Sequence, residues 1–469
     1  MRAARSTALT CLAAVAIVMT GCAARAPRPR ATPLVGEGLL LVYLAPASPA
    51  ARRLSFALDA MSTEGEAAVP LERKLERIDL AEATGQRLVA TARVPPGSYE
   101  GLSLRVSRGL LVGSTGQPAD LVAPEGPLLA RGAFQVSNGV VTTVELQVAA
   151  PDQGEVFRLS PVLRLALAER PLPSLAVLVA GPDLVTQADP RTLRVGGADA
   201  LPRSPGGVAV DVRRGLAYVP EVEGDTVAVL DLASGERLRE IRLKPGDRPG
   251  AIALSPDGSM AVVLDRGPET ASFLDTQSAE EVGRAAVGQD PRSLLVDRQG
   301  RFAYVVCRAS NEITVLDLAN RTAVASIGTD PAPAGVALNR AGDRLYVAHG
   351  GSAYLASWKL PDRTGADRVF VGLGASAVQV DASTDLIAIA MGEDRSIQIL
   401  APGQQVPLGR VEVPGAATRL VVDDVEHTLL ALLPEASRLV SIDLATRRIR
   451  ATAELPERGT DLALSRERR

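Results

Sequence analysis

The sequence predicts an all-β protein, a β-sandwich followed by a seven-bladed β-propeller. Three observations carry this expectation. Past residue 170 the chain repeats about every 42 residues, each repeat holds four short apolar strands, and alternating strands with Gly and Pro turns fill the region before it.

The repeat is read from its anchors. An apolar strand ends in a small polar or acidic residue at Asp211, Ser255, Asp297, Asn339, Asp381, Asp423 and Ser465, with spacings of 44 and then 42 five times. A second strand follows each of the first six anchors, as in Ala217-Tyr-Val219 and Ala303-Tyr-Val-Val306. A third closes 20 residues after the anchor at Asp231, Asp275, Asp317 and Asp443, and a turn leads into a fourth. Four strands in such a length make one blade, and blades must stack to bury their faces. Stepping back one period from Asp211 finds strands at about 174 to 197 that lack an inner strand, while residues 459 to 465 form an inner strand without the rest. Joined, they complete a seventh blade and remove an open edge. The predicted propeller spans 171–469.

Residues 37–170 read as the sandwich. Leu54, Phe56 and Leu58 alternate with Ser55 and Ala57; Leu102, Leu104 and Val106 repeat the pattern behind Pro95-Pro96-Gly97. Asn138-Gly139 marks a hairpin before Val144, Leu146 and Val148. Glu72, Arg73, Lys74, Glu76 and Arg77 read as a solvated face.

The first 21 residues read as a signal peptide: Arg2 and Arg5, then a short apolar run from Ala8 to Met19. Residues 22–36 follow as a Pro- and Arg-rich tether. The remaining thiol, Cys307, sits in an apolar strand and reads as a small buried hydrophobe. Basic and acidic side chains number 51 and 54 with no basic block, which argues against a nucleic-acid partner.

Three resemblances add to this. Met19-Thr20-Gly21-Cys22 resembles a bacterial lipobox, although Met19 departs from the commoner Leu. That resemblance implies lipidation at Cys22 and a membrane anchor, and Ala23 implies sorting to the outer membrane of a double-membrane bacterium. Ala217-Tyr-Val-Pro followed by Asp225-Thr-Val-Ala-Val-Leu-Asp231 resembles the YVTN-type propeller repeat of bacterial envelope proteins. It implies location and binding and carries no single chemistry. Val94-Pro-Pro-Gly-Ser-Tyr99 and the strand after it look like small envelope β-sandwich domains of unknown function.

In propellers, ligands bind where the loops from outer to next inner strand and from second to third strand crowd the channel end. Both sets carry Gly, Asp and Pro, which suit turns without any ligand. The residues that break the repeat are the better candidates for a ligand face: Arg248, Arg292, Arg308 and His349. Asp247, Asp290 and Asp330 join them as carboxylates from different blades.

The two histidines, His349 and His427, occupy different blade positions, so a histidine-rich metal site is excluded and a paired one disfavoured. No Cys-x-x-Cys-His is present for haem, no paired catalytic set stands out, and no cofactor or metal site is predicted. The expectation is a membrane-anchored, non-catalytic binding or scaffold module with a protein or glycan partner in the envelope. The alternatives are a hydrolase or lactonase with a divalent metal at the channel mouth, and a structural coat component.

Overall fold

The computed structural model describes residues 34–49, 51–112, 117–149 and 158–467, and the predicted signal peptide and Cys22 lie outside them. Among the described residues no helix is long and apolar enough to cross a membrane. They are almost wholly β, as the repeat and the alternation predict.

The first domain is built from β1 (Gly38–Leu44), β2 (Leu54–Gly65), β3 (Glu72–Arg73), β4 (Arg77–Asp79), β5 (Arg87–Val94), β6 (Gly97–Val112), β7 (Pro118–Leu121), β8 (Leu128–Val136), β9 (Val141–Ala149) and β10 (Val162–Leu167). The pattern predicts two packed sheets, yet the hydrogen bonds run through one ten-stranded sheet, in the order β3-β5-β1-β9-β10-β8-β6-β2-β4 with β7 beside β6. This sheet curls so far that one chain segment serves both its ends. Leu71 N–H donates to Met61 O of β2, Lys74 N–H to Val89 O of β5, and Leu58 N–H to Glu76 O. The charged run around residue 74 is therefore the seam of the sheet, and the Arg73 guanidinium donates to Leu58 O across it. Leu40, Phe56, Leu58, Leu102, Leu104 and Leu146 fill the core inside the curl.

The second domain is a seven-bladed propeller. Blade 2 has strands Ala209–Asp211, Leu216–Glu221, Thr226–Asp231 and Arg237–Arg242 in simple antiparallel order, and blades 3 to 7 repeat it. Their inner strands are Pro249–Leu254, Pro291–Val296, Pro333–Leu338, Ala375–Val380 and Arg419–Asp423. Blade 1 is composite, as predicted: β11 (Leu175–Ala180), β12 (Leu184–Ala188) and β13 (Val195–Ala200) take their inner strand from Asp461–Arg466. The anchor aspartates hold the turns that follow inner strands. Asp211 Oδ1, for example, accepts the N–H groups of Arg213 and Arg214, each at 3.1 Å.

The two domains share a core. β1 is apolar at every position after Gly38 because both of its faces are covered. Leu40, Val42 and Leu44 point into the curl, whereas Leu41 and Tyr43 join Leu88 and Val141 against blades 1 and 7, where they meet Val179, Leu184, Leu432 and Leu439. Polar groups fix the register of this joint. Gln86 imitates a strand, accepting Val195 N–H at 2.6 Å and donating to Val195 O at 3.2 Å. Its amide also donates to Glu145, which pairs with Arg194 of blade 1. The backbone N–H of Leu88 donates to the Glu454 carboxylate at 3.1 Å.

Candidate ligand site at the channel mouth

The inner strands run away from the loop face, so residues early in each strand line the channel just below its mouth. The same place in the repeat, four residues before each anchor, holds Gly207, Ala251, Ser293, Gly335, Ala377, Arg419 and Asp461. Five of the seven are Gly, Ala or Ser, which keeps the channel open. The other two form an ion pair, Arg419 Nε to Asp461 Oδ1 at 3.2 Å, between adjacent blades. Asp461 Oδ2 also accepts Val208 N–H at 3.1 Å. The cavity at this level is about 210 Å³, and the buried Ser293 hydroxyl on its wall has no hydrogen-bond partner among the described residues.

Above this tier lies Arg266, the first residue after the second strand of blade 3 (Met260–Asp265). Its guanidinium lies across Gly250: a Cβ there would sit 2.5 Å from Arg266 Nε and 2.9 Å from Cζ. The residue is exposed to solvent, with Gly250 packed against its guanidinium. Burial, followed by the neighbouring charges of Arg292 and Arg419, pushes its pKa below the ordinary arginine value, against the opposing effect of Asp290 and Asp461. Among the described residues no carboxylate lies within hydrogen-bonding distance of this guanidinium. Such a group is completed by an anion that brings its own oxygens.

Arg266 was not among the residues singled out from sequence, although it precedes Arg308 by one full period and so occupies the equivalent place. Arg308 is exposed, as are Arg248, Arg266 and Arg292. The Arg292 guanidinium pairs with Asp290 at 2.8 Å. Arg248 has a left-handed backbone (φ 52°) and donates its main-chain N–H to Asp225 at 2.7 Å.

Of the other predicted residues, Asp247 and Asp330 lie in loops between blades and His349 lies inside one. Asp247 is buried, bound by two nitrogens of Arg284 at 2.7 and 2.6 Å and by Lys244 N–H. Burial alone would raise its pKa; Arg284 and the Lys244 N–H outweigh it and hold the carboxyl below the usual range. Asp330 takes Arg368 at 2.6 Å and the Ser352 hydroxyl at 2.9 Å. The sequence reading put His349 in a loop, but it ends the second strand of blade 5 (Arg344–His349) and is fully buried. Its Nδ1 is 3.2 Å from Tyr354 O, and burial pushes its pKa below the ordinary histidine value. The reason is positional: Glu221, Asp265, Cys307 and His349 all close a second strand, where the side chain turns into the blade. Among the described residues no three His, Cys, Asp or Glu side chains are placed to hold a metal ion.

Asp265 shows what that position costs. Oδ2 accepts the hydroxyls of Thr270 and Ser272, each at 2.8 Å, while buried Oδ1 accepts none. Burial pushes its pKa up to about 6. The folded state thus holds this proton between about pH 4 and 6 where the unfolded chain has released it, so the parent loses stability as pH rises through that window. Asp265→Asn removes this dependence. In thermal unfolding from pH 4.5 to 8, the variant should gain on the parent by up to about 3 kcal/mol, the equivalent of a two-unit shift. A constant difference across that range would show that Asp265 is not the titrating group.

Comparison with known sequences adds one family. Residues 232–328 match the family described as lactonase, 7-bladed beta-propeller. Over that stretch the chain is similar to the lactonase propellers. The lactonase-like stretch runs from the end of the third strand of blade 2 to the end of blade 4, and includes Arg248, Arg266, Arg292 and Arg308. No curated protein matches the chain. A chain of the solved structure titled Kuenenia stuttgartiensis Hydrazine Synthase aligns with TM-score 0.50 and 18% identity, over 59% of this chain and 97% of that one. At that identity the likeness shows the fold alone. Matching chains of solved structures number 1702, so the fold by itself selects no activity.

Proposed function

We propose that this protein is a non-catalytic binding module of the cell envelope, held to a membrane by lipid at Cys22, whose channel mouth takes an anionic group of a protein or glycan partner. The observation that carries the binding site is Arg266, an exposed guanidinium at the mouth beside Arg292 and Arg419 without a carboxylate of its own. The tier of small residues beneath it leaves room for the ligand body, and the buried Ser293 hydroxyl on its wall is without a partner among the described residues.

The test uses glucuronate and inorganic phosphate as probes in calorimetric titration. Arg266→Ala should weaken glucuronate binding by about tenfold or more, the worth of a charge-assisted hydrogen bond. Gly250→Ala should do nearly as much without touching a charge, because its methyl group displaces the guanidinium. Equal binding by parent and both variants would remove the site from the mouth.

A second reading follows from the lactonase family match, a metal-assisted hydrolase. Against it, Asp247, Asp290 and Asp330 each face an arginine, Arg284, Arg292 and Arg368, in place of one another. Lactone hydrolysis that stops with chelator and returns with calcium would favour this reading over the first.

A further inference from the structure

The curled sheet has two walls with different surroundings. β5, β1 and β9 lie against blades 1 and 7, while β8 and β6 stand three and four strands round the curl from β1. β8 and β10 alternate cleanly: Ala130, Phe134, Leu163 and Leu165 point into the core, and Leu129, Arg131, Val162 and Arg164 point out. Arg131 and Arg164 are direct partners across the β8–β10 pair. Like charges placed so weaken a sheet. On its other side Arg131 faces Gly101 of β6, which offers it no side chain, and Arg105 stands exposed further along β6. Neither β8 nor β10 holds an acidic residue. Among the described residues none of the three arginines makes an ion pair. The flanking strands β6 and β2 add two exposed carboxylates, Glu100 and Asp59, and Asp59 already accepts the Ser107 hydroxyl at 2.8 Å.

We propose that this outer wall docks on the surface of a bilayer rich in anionic lipid. Arg105, Arg131 and Arg164 meet headgroup phosphates, and the exposed Leu129 and Val162 enter the interface. Charge complementarity selects this occupant. Phosphates supply the counter-charge that the β8–β10 pair lacks, and interfacial binding combines such attraction with burial of apolar area. Reach agrees, and for reach the inference rests on the proposed lipid at Cys22. The twelve residues from Cys22 to Leu34 extend to about 40 Å. The chain enters the sheet at the turn after β8, where Gly36 N–H donates to Asn138 Oδ1 at 2.8 Å. Docked in this way, the curled sheet holds the propeller off the bilayer on its far wall.

The test is sedimentation with vesicles of phosphatidylcholine, with and without phosphatidylglycerol. It uses the full chain carrying Cys22→Ser, so that acyl chains add nothing to the binding. Phosphatidylglycerol should raise the affinity at least about tenfold. Arg131→Gln with Arg164→Gln should remove about tenfold or more of the affinity for the anionic vesicles, each arginine near such a surface being worth roughly fivefold. Arg242→Gln with Arg321→Gln takes the same charge from exposed positions on blades 2 and 4, and should change binding by less than about twofold. Binding that does not rise with phosphatidylglycerol, or that is equal for the parent and the β8–β10 variant, would overturn the proposal. Photolabelling of the unaltered chain with a phosphatidylglycerol bearing a headgroup diazirine covers the case in which a variant fails to fold. Adducts on the peptides holding Leu129 or Val162 support the docked wall, and adducts confined to residues before Leu34 or to the propeller refute it. Acylation is read separately, from the mass of the peptide holding Cys22, so an absent anchor and an absent docking face give different results.

Discussion

A chain that stops at Gly459 should lose the cooperative unfolding of the propeller and melt at least about 10 °C below the full chain. The deleted strand, Asp461–Arg466, pairs along all of β11 and buries Leu462. Thr460 donates to Ala180 O through its N–H and its hydroxyl, and the Ser465 hydroxyl donates to Pro173 O. Arg466 joins Asp423 at 2.9 Å and Glu426 at 3.1 Å, and Asp461 holds Arg419. Leucine burial at about 2–3 kcal/mol and strand hydrogen bonds near 1 kcal/mol each sum to a large part of the stability a domain has. At roughly 2–4 °C per kcal/mol for domains of this size, the fall exceeds ten degrees. Differential scanning calorimetry measures it, and a synthetic peptide of residues 460–467 added in trans should restore part of the loss. A midpoint unchanged by truncation would mean that blade 1 does not close the ring.

Tyr43→Ala should destabilise both domains, by about 3–5 kcal/mol, the usual cost of emptying a buried aromatic site. Tyr43 is fully buried between the curled sheet and blades 1 and 7, with its hydroxyl 3.2 Å from Glu454 O. The damage should therefore reach beyond its own domain. Hydrogen exchange is expected to quicken in β11 to β13 and in blade 7 as well as in β1 and β5. Tyr43→Phe keeps the ring and gives up one hydrogen bond, so about 1 kcal/mol is expected. Exchange that rises only in the curled sheet would show that the propeller does not lean on it.

The ring was readable in the sequence because its information is periodic. Seven anchors at nearly constant spacing fix strand count, register and the composite blade without reference to packing. The curl of the first domain was not readable, since alternation reports which face a strand buries and not which neighbour lies beside it. The continuous apolar run Leu39–Leu44 fits a strand covered on both faces, but nothing local names blades 1 and 7 as the second cover. Among the site residues, Arg266 was missed, although it stands one full period before Arg308. His349 misled because one residue decides whether a strand end faces the blade interior or the channel. The arginine partners of Asp247 and Asp330 lie 37 and 38 residues away, on outer strands whose side chains reach back to the loop face.

The composite blade has a consequence for how the molecule is made. Ser465 meets Pro173 across 292 residues, so blade 1 waits with a vacant place until six other blades have been assembled in order. That place recognises a strand, and the strand of any copy fits it equally well. Dilute refolding gives each chain time to supply its own. Crowded refolding lets neighbours exchange them, giving dimers in which each ring is locked by the other molecule's key.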